Sequence, residues 1–126
     1  MLNYFVIAAG GACGALLRSL VYQFCADSRQ AHLFSLPTFI VNVVGSVLIG
    51  IGWYCLVEKA MLPPLWKSFA ITGMLGALTT FSTFSLDAFR LIQNDQPLEA
   101  LIYVLASVLV CLTGTWIGYQ SVRVLV

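Results

Sequence analysis

The chain reads as an all-α integral membrane protein of four spanning helices, with the third broken near its middle. Three observations lead there. Of its 126 residues, 60% are hydrophobic and only 9% are charged, where a soluble domain would carry about 25% charge. Four stretches, approximately residues 2–26, 33–57, 65–90 and 98–122, reach the length a bilayer demands, about 20 apolar residues at about 1.5 Å each. The third of them encloses Thr79-Thr80-Phe81-Ser82-Thr83-Phe84-Ser85. Hydroxyls directed into lipid would lack partners, so this run must face protein or a narrow polar path.

Each span has its own justification. The first, Leu2 to Ala26, contains Arg18 as its only charged side chain. It lacks a basic leader and runs longer than the apolar part of a signal peptide, so it is expected to stay as a span. Asp27-Ser28-Arg29-Gln30 turns the chain, and Pro37 restarts it. The second span, Leu33 to Val57, is uncharged and ends at Glu58-Lys59, before Pro63-Pro64. In the third, Ser68 through Leu86 is uncharged, and Gly73, Gly76 and Ala77 invite a backbone break or a close helix contact. Asn94-Asp95-Gln96-Pro97 makes the last turn, with Pro97 suited to a first helical turn. The fourth span, Ala100 to Val122, is again uncharged. No connection could hold a soluble domain. Residues 1–126 therefore form a single transmembrane domain, and its function lies within the membrane.

The charges give no orientation. One side of a four-span chain holds Lys59, Lys67 and Arg123, and the other holds Arg29 and Arg90 with Arg18 nearest to it. Three against three leaves the positive-inside rule undecided, as expected of a chain that inserts both ways and pairs with an inverted copy. Four helices alone enclose little space, so a path would run along a dimer interface. Small-residue pairs could form one: Gly10 with Gly14, Gly11 with Ala15, Ser46 with Gly50, Gly114 with Gly118.

Several chemistries are disfavoured. The chain has one histidine, His32, no acidic residue before Asp27, and no pair of carboxylates inside a span, so it does not read as an enzyme. Cys13, Cys25, Cys55 and Cys111 have no ligand-like spacing and suit apolar packing. A phosphate-binding glycine loop is lacking, and the six basic residues are scattered, so nucleic acid is not an expected partner.

What remains is a set of uncharged polar and aromatic groups. Arg18 is the one ionisable group well inside a span; it either serves function or snorkels to the surface. Asn42, Tyr103 and, one turn deeper, Ser107 should lie at similar depth on the Arg18 side. Together they either form an anion-attracting vestibule or bond helices to one another. Phe81 and Phe84, at i and i+3, project from one face, as do Thr80 and Phe84 at i and i+4. Core packing is the common reason for such spacing. A ring edge is also weakly positive, and beside a line of hydroxyls it could replace an anion's water without trapping the ion.

At full length the chain resembles the small fluoride channels called Fluc or CrcB. The resemblance rests on Gly10-Gly11 through Gly14-Ala15 to Arg18, on Val41-Asn42 with Gly45, and on Gly73 through Thr79-Thr80-Phe81-Ser82-Thr83-Phe84. It implies an antiparallel dual-topology homodimer in the bacterial inner membrane, surrounded by lipid, with two fluoride pores. It implies that Phe81 and Phe84 are the pore phenylalanines, Asn42 the pore asparagine, and Ser82 and Thr83 part of a hydroxyl track. Thr80, Ser107 and Tyr103 would adjoin that track, with Arg18 at the vestibule. Carbonyls of Gly76 and Thr79 would hold a structural sodium ion that is not transported. Three positions depart from the commonest pattern: Ser19 replaces a frequent aromatic, Leu36-Pro37-Thr38 a glycine-containing start, and Ala77 a second glycine that would ease bending.

Two other functions compete. A small dual-topology multidrug exporter has the same architecture, but proton-coupled export needs a membrane-embedded carboxylate. Here Glu58, Asp87, Asp95 and Glu99 are read at or near helix ends. A non-transporting assembly subunit could use the hydroxyl seam as glue.

Overall fold

A computed structural model describes residues 1–26 and 35–126. The turn Asp27-Ser28-Arg29-Gln30, His32 and the expected start of the second span at Leu33 lie outside the described residues. Among the described residues every regular element is helical. Four helical runs are long and apolar enough to cross a membrane: Leu2–Cys25, Leu36–Glu58, Pro64–Gln93 and Pro97–Leu125.

The first run is α1 (Leu2–Ala26). The second is α2 (Leu36–Trp53), continued by a π-helical turn, Tyr54–Glu58. The third is composite: α3 (Pro64–Lys67), a π-helical stretch at Ser68–Leu75, α4 (Gly76–Leu78) and α5 (Phe81–Gln93). The fourth is α6 (Pro97–Leu125). Prolines begin three of these pieces: Pro37 lies in the first turn of α2, Pro64 opens α3 and Pro97 opens α6. A first-turn N–H has no intrahelical acceptor, so proline loses nothing there. The fourth helix extends past the expected Val122 to place Arg123 in its last turn, where a cation complements the helix dipole.

Packing is pairwise. Helix α1 lies along the π-helical stretch, α2 along α6, and α5 against the first half of α6. Small residues permit the close approaches. A Cβ on Gly10 would strike the Phe69 carbonyl, and one on Gly14 the Met74 carbonyl. Across the second pair, Gly50 abuts the Thr115 carbonyl and Gly118 the Val47 carbonyl. The small-residue pairs expected at a dimer interface are thus largely used inside one chain, while Gly11 faces open space. The buried centre is small, with Val41, Leu75 and Leu78 flanked by Val21, Tyr22 and Met74. Most other large apolar side chains point outward, as suits a hydrocarbon surrounding.

The α2–α6 contact gives a direct test. Gly118→Ala sets a methyl against backbone, which yields less than a side chain, so the variant should lose about 1–3 kcal/mol of stability. Thermal unfolding in detergent measures this. An unchanged midpoint would contradict so close an approach.

Candidate functional site

Helix α4 stops at Leu78, and two residues of extended chain follow: Thr79 at φ −78°, ψ 156° and Thr80 at φ −153°, ψ 116°. Helix α5 begins at Phe81. Helix α2 supplies what holds this pair. Asn42 Nδ2 donates to the Thr80 carbonyl at 3.1 Å, and Asn42 Oδ1 accepts the Thr80 N–H at 2.8 Å. One turn on, Gly45 leaves room for the Thr79 methyl, which a Cβ there would strike. The Thr79 N–H and hydroxyl both donate to the Leu75 carbonyl at 3.0 Å.

Thr80 also caps α5. Its hydroxyl accepts the Thr83 N–H at 3.2 Å, donates to the Thr83 hydroxyl at 3.0 Å, and lies 3.3 Å from that of Ser82. Such a cap stabilises a helix by about 1 kcal/mol. The hydroxyl run is therefore not a simple polar stripe: Thr79 satisfies the end of one helix and Thr80 the start of the next.

Beside the extended pair runs a groove of about 340 Å³. Asn42, Thr79, Thr80, Phe81, Phe84 and Ser107 line it among others, and no lining residue is charged. The Phe81 and Phe84 ring centroids are 5.5 Å apart at 44°, and Phe84 meets Tyr103 at 5.3 Å and 38°. Phe84 and Tyr103 are buried, whereas Phe81 is 79% exposed. The Ser107 hydroxyl is buried and makes no hydrogen bond within the described chain, which leaves its bonding capacity for a ligand or water.

The two helix ends give the groove its polarity. The first turn of α5 presents backbone N–H groups and a partial positive charge. The preceding helical run ends in carbonyls. Two donors that a continuous helix would send to them are diverted: the Thr80 N–H, owed to Gly76, goes to Asn42, and the Thr83 N–H, owed to Thr79, goes to the Thr80 hydroxyl. The carbonyls of Gly76 and Thr79 thus have the chemistry that a hard alkali cation requires.

The structure gathers Asn42, Gly76, Thr79, Thr80, Phe81, Phe84 and Ser107 at one groove. Ser82 and Thr83 join it through the Thr80 hydroxyl, and Tyr103 backs Phe84. Arg18, expected at a vestibule with Asn42, is half-buried and is not among the groove's lining residues. Ala77 sits within α4, two residues before the extended pair begins.

Asp87 requires a correction. It is not a loose helix-end carboxylate but lies within α5, half-buried, and accepts the Thr38 hydroxyl at 2.7 Å. The Tyr22 hydroxyl lies 2.6 Å and the Ser35 hydroxyl 3.0 Å from that of Thr38, which is fully buried. This cluster ties α1, α2 and α5 together near one end of the groove, and sequence reasoning missed it. Thr38 lies one turn before Asn42, and Asp87 one turn after Phe84; that spacing was the available signal.

The chain matches the family described as CrcB-like protein, Camphor Resistance (CrcB), over residues 5–119. It is 42% identical to the fluoride-specific ion channel FluC of Hahella chejuensis across 94% of this chain and 93% of that one. A protein of the same name from Citrifermentans bemidjiense is 44% identical, over 94% of this chain and 91% of its own. One from Shewanella amazonensis is 42% identical over 97% of each.

Proposed function

The chain is a multi-pass membrane protein belonging to the CrcB family, and from that premise we propose that it is a fluoride-selective channel. It would let cytoplasmic fluoride leave passively across a bacterial inner membrane. Fluoride enters cells as HF from acid surroundings, dissociates at neutral internal pH, and would otherwise accumulate. The observation that carries this reading is the Phe81–Phe84 ring pair set beside hydroxyls in an uncharged groove. Ring edges, the α5 amide end and the Ser107 hydroxyl offer a dehydrated anion many weak contacts. A basic side chain would bind it firmly and slow its exit.

The assembly would be an antiparallel dual-topology homodimer with two pores. Phe81, Ser82 and Ser85 lie exposed together on α5, and hydroxyls on a membrane surface favour protein over lipid as neighbour. A second chain laid there would close the groove into a path. Gly76 and Thr79 of both chains would together offer four carbonyl oxygens to a structural sodium ion, which supplies positive charge at the centre and links the two copies. Thr79→Ser keeps both that carbonyl and the hydroxyl bond to Leu75, so it should retain fluoride flux within about threefold. A loss as deep as that of a pore variant would assign the Thr79 methyl a role of its own.

The multidrug-exporter alternative has a candidate carboxylate within a span, Asp87, but that side chain is not among the residues lining the groove. Its bond to Thr38 within a hydroxyl cluster leaves it poorly placed to exchange between a proton and a drug cation. Expression in bacteria lacking their own fluoride exporter tests the proposal. Restored growth in millimolar fluoride supports it; sensitivity equal to the empty vector, with the protein present in the membrane, opposes it.

A further inference from the structure

We propose that Asn42 is a positioning residue for the cation site, acting through Thr80, and does more than line the ion path. This rests on the cation-site reading above. An exchange of partners carries the inference. Closing the helix across the extended pair would return the Thr80 N–H to the Gly76 carbonyl. Instead that N–H goes to Asn42 Oδ1 at 2.8 Å, while Asn42 Nδ2 holds the Thr80 carbonyl at 3.1 Å. Thr80 cannot turn back into helix unless both bonds break.

The side chain at this position is chemically particular. A carboxamide presents a donor and an acceptor side by side, which matches the N–H and carbonyl of one extended residue. A serine hydroxyl is too short to span both, and an apolar side chain offers neither. Gly45, at i+3 from Asn42, acts on the neighbouring residue from the same face of α2 by leaving space for the Thr79 methyl. The second helix therefore holds the backbone of Thr80 and packs against the side chain of its neighbour Thr79.

Removing the carboxamide takes the partner from the Thr80 N–H, and a buried donor must find another. The Gly76 carbonyl is the acceptor that helix geometry provides. Capturing it withdraws one of the two oxygens each chain contributes. The residue that borders the anion path would thus also keep the cation's ligands available.

The test follows dimer formation and not flux. The fraction of purified protein that is dimeric in detergent is measured against sodium concentration, with N-methylglucamine holding ionic strength constant. Parent, Asn42→Ala and Asn42→Asp are compared. Asn42→Ala should raise the sodium concentration for half-maximal dimer by at least about tenfold, the equivalent of about 1.4 kcal/mol. Asn42→Asp keeps an acceptor for the Thr80 N–H, so its midpoint should stay within about threefold of the parent's or fall below it.

A parental midpoint in folded Asn42→Ala overturns the proposal. Should the alanine variant not fold, Asn42→Ser, whose hydroxyl cannot span both groups, takes its place: a midpoint raised at least about tenfold supports the proposal and a parental one overturns it. A parent whose dimer ignores sodium removes the cation site, and this role with it. Fluoride flux in that same parent separately decides whether the channel reading stands.

Discussion

Phe84→Ile and Phe81→Ile should each slow fluoride efflux from liposomes on the order of 100-fold, the equivalent of nearly 3 kcal/mol on the barrier, while the dimer stays assembled. Isoleucine keeps most of the bulk and all of the hydrophobicity of the ring but has no quadrupole. The two sites differ in what else they do. Phe84 is buried and meets Tyr103 at 5.3 Å, so its replacement also removes an aromatic pair worth about 1 kcal/mol. Phe81 is 79% exposed in the single chain and bears little of the core. Phe81→Ile therefore separates ring chemistry from the packing of the single chain. Near-normal flux in both variants would remove the pore assignment.

Exchanging sodium for N-methylglucamine on both sides of the membrane should bring fluoride efflux down to the leak of empty vesicles. An ion bound only by the assembled dimer stabilises it in proportion to the logarithm of ion concentration, and the stabilisation vanishes when the ion does. The carbonyls of Gly76 and Thr79 match a hard cation of small radius, and the bulky organic cation cannot sit among them. Returning sodium should restore the rate. Undiminished efflux without sodium would contradict a cation at this position.

Much of the architecture was legible because lipid imposes simple rules. Apolar runs bounded by Pro37, Pro64 and Pro97 gave the four helices, and the described starts fall at or beside those prolines. Depth alone grouped Asn42 with Tyr103 and Ser107, whereas joining them to Thr80 and Phe84 rested on the family resemblance. What was not legible depends on pairings distant in sequence. Nothing in the hydroxyl run says that Thr80 spends its backbone on a residue 38 positions earlier. The spacing of the run indicates shared faces, whereas the structure uses Thr79 and Thr80 as caps between two helices.

The cluster of Tyr22, Thr38 and Asp87 escaped for a related reason. Thr38 looked like part of a helix start and Asp87 like a helix end, and only the crossing of α2 and α5 joins them. The small-residue pairs misled in the other direction. Gly10, Gly14, Gly50 and Gly118 carry the spacing of helix association, but that association is within one chain. Their periodicity alone does not distinguish an internal contact from a dimer contact. Arg18, conspicuous as a charge inside a span, is not among the residues that line the groove.

The central claim is that an uncharged groove of rings and hydroxyls passes fluoride and rejects larger anions. Purified protein reconstituted into liposomes loaded with fluoride, and in parallel with chloride, tests it most directly when efflux is recorded with ion-selective electrodes. Fast fluoride release with chloride held at the level of protein-free vesicles should be seen. Equal release of both anions, or release of neither from vesicles shown to contain folded dimer, would contradict it.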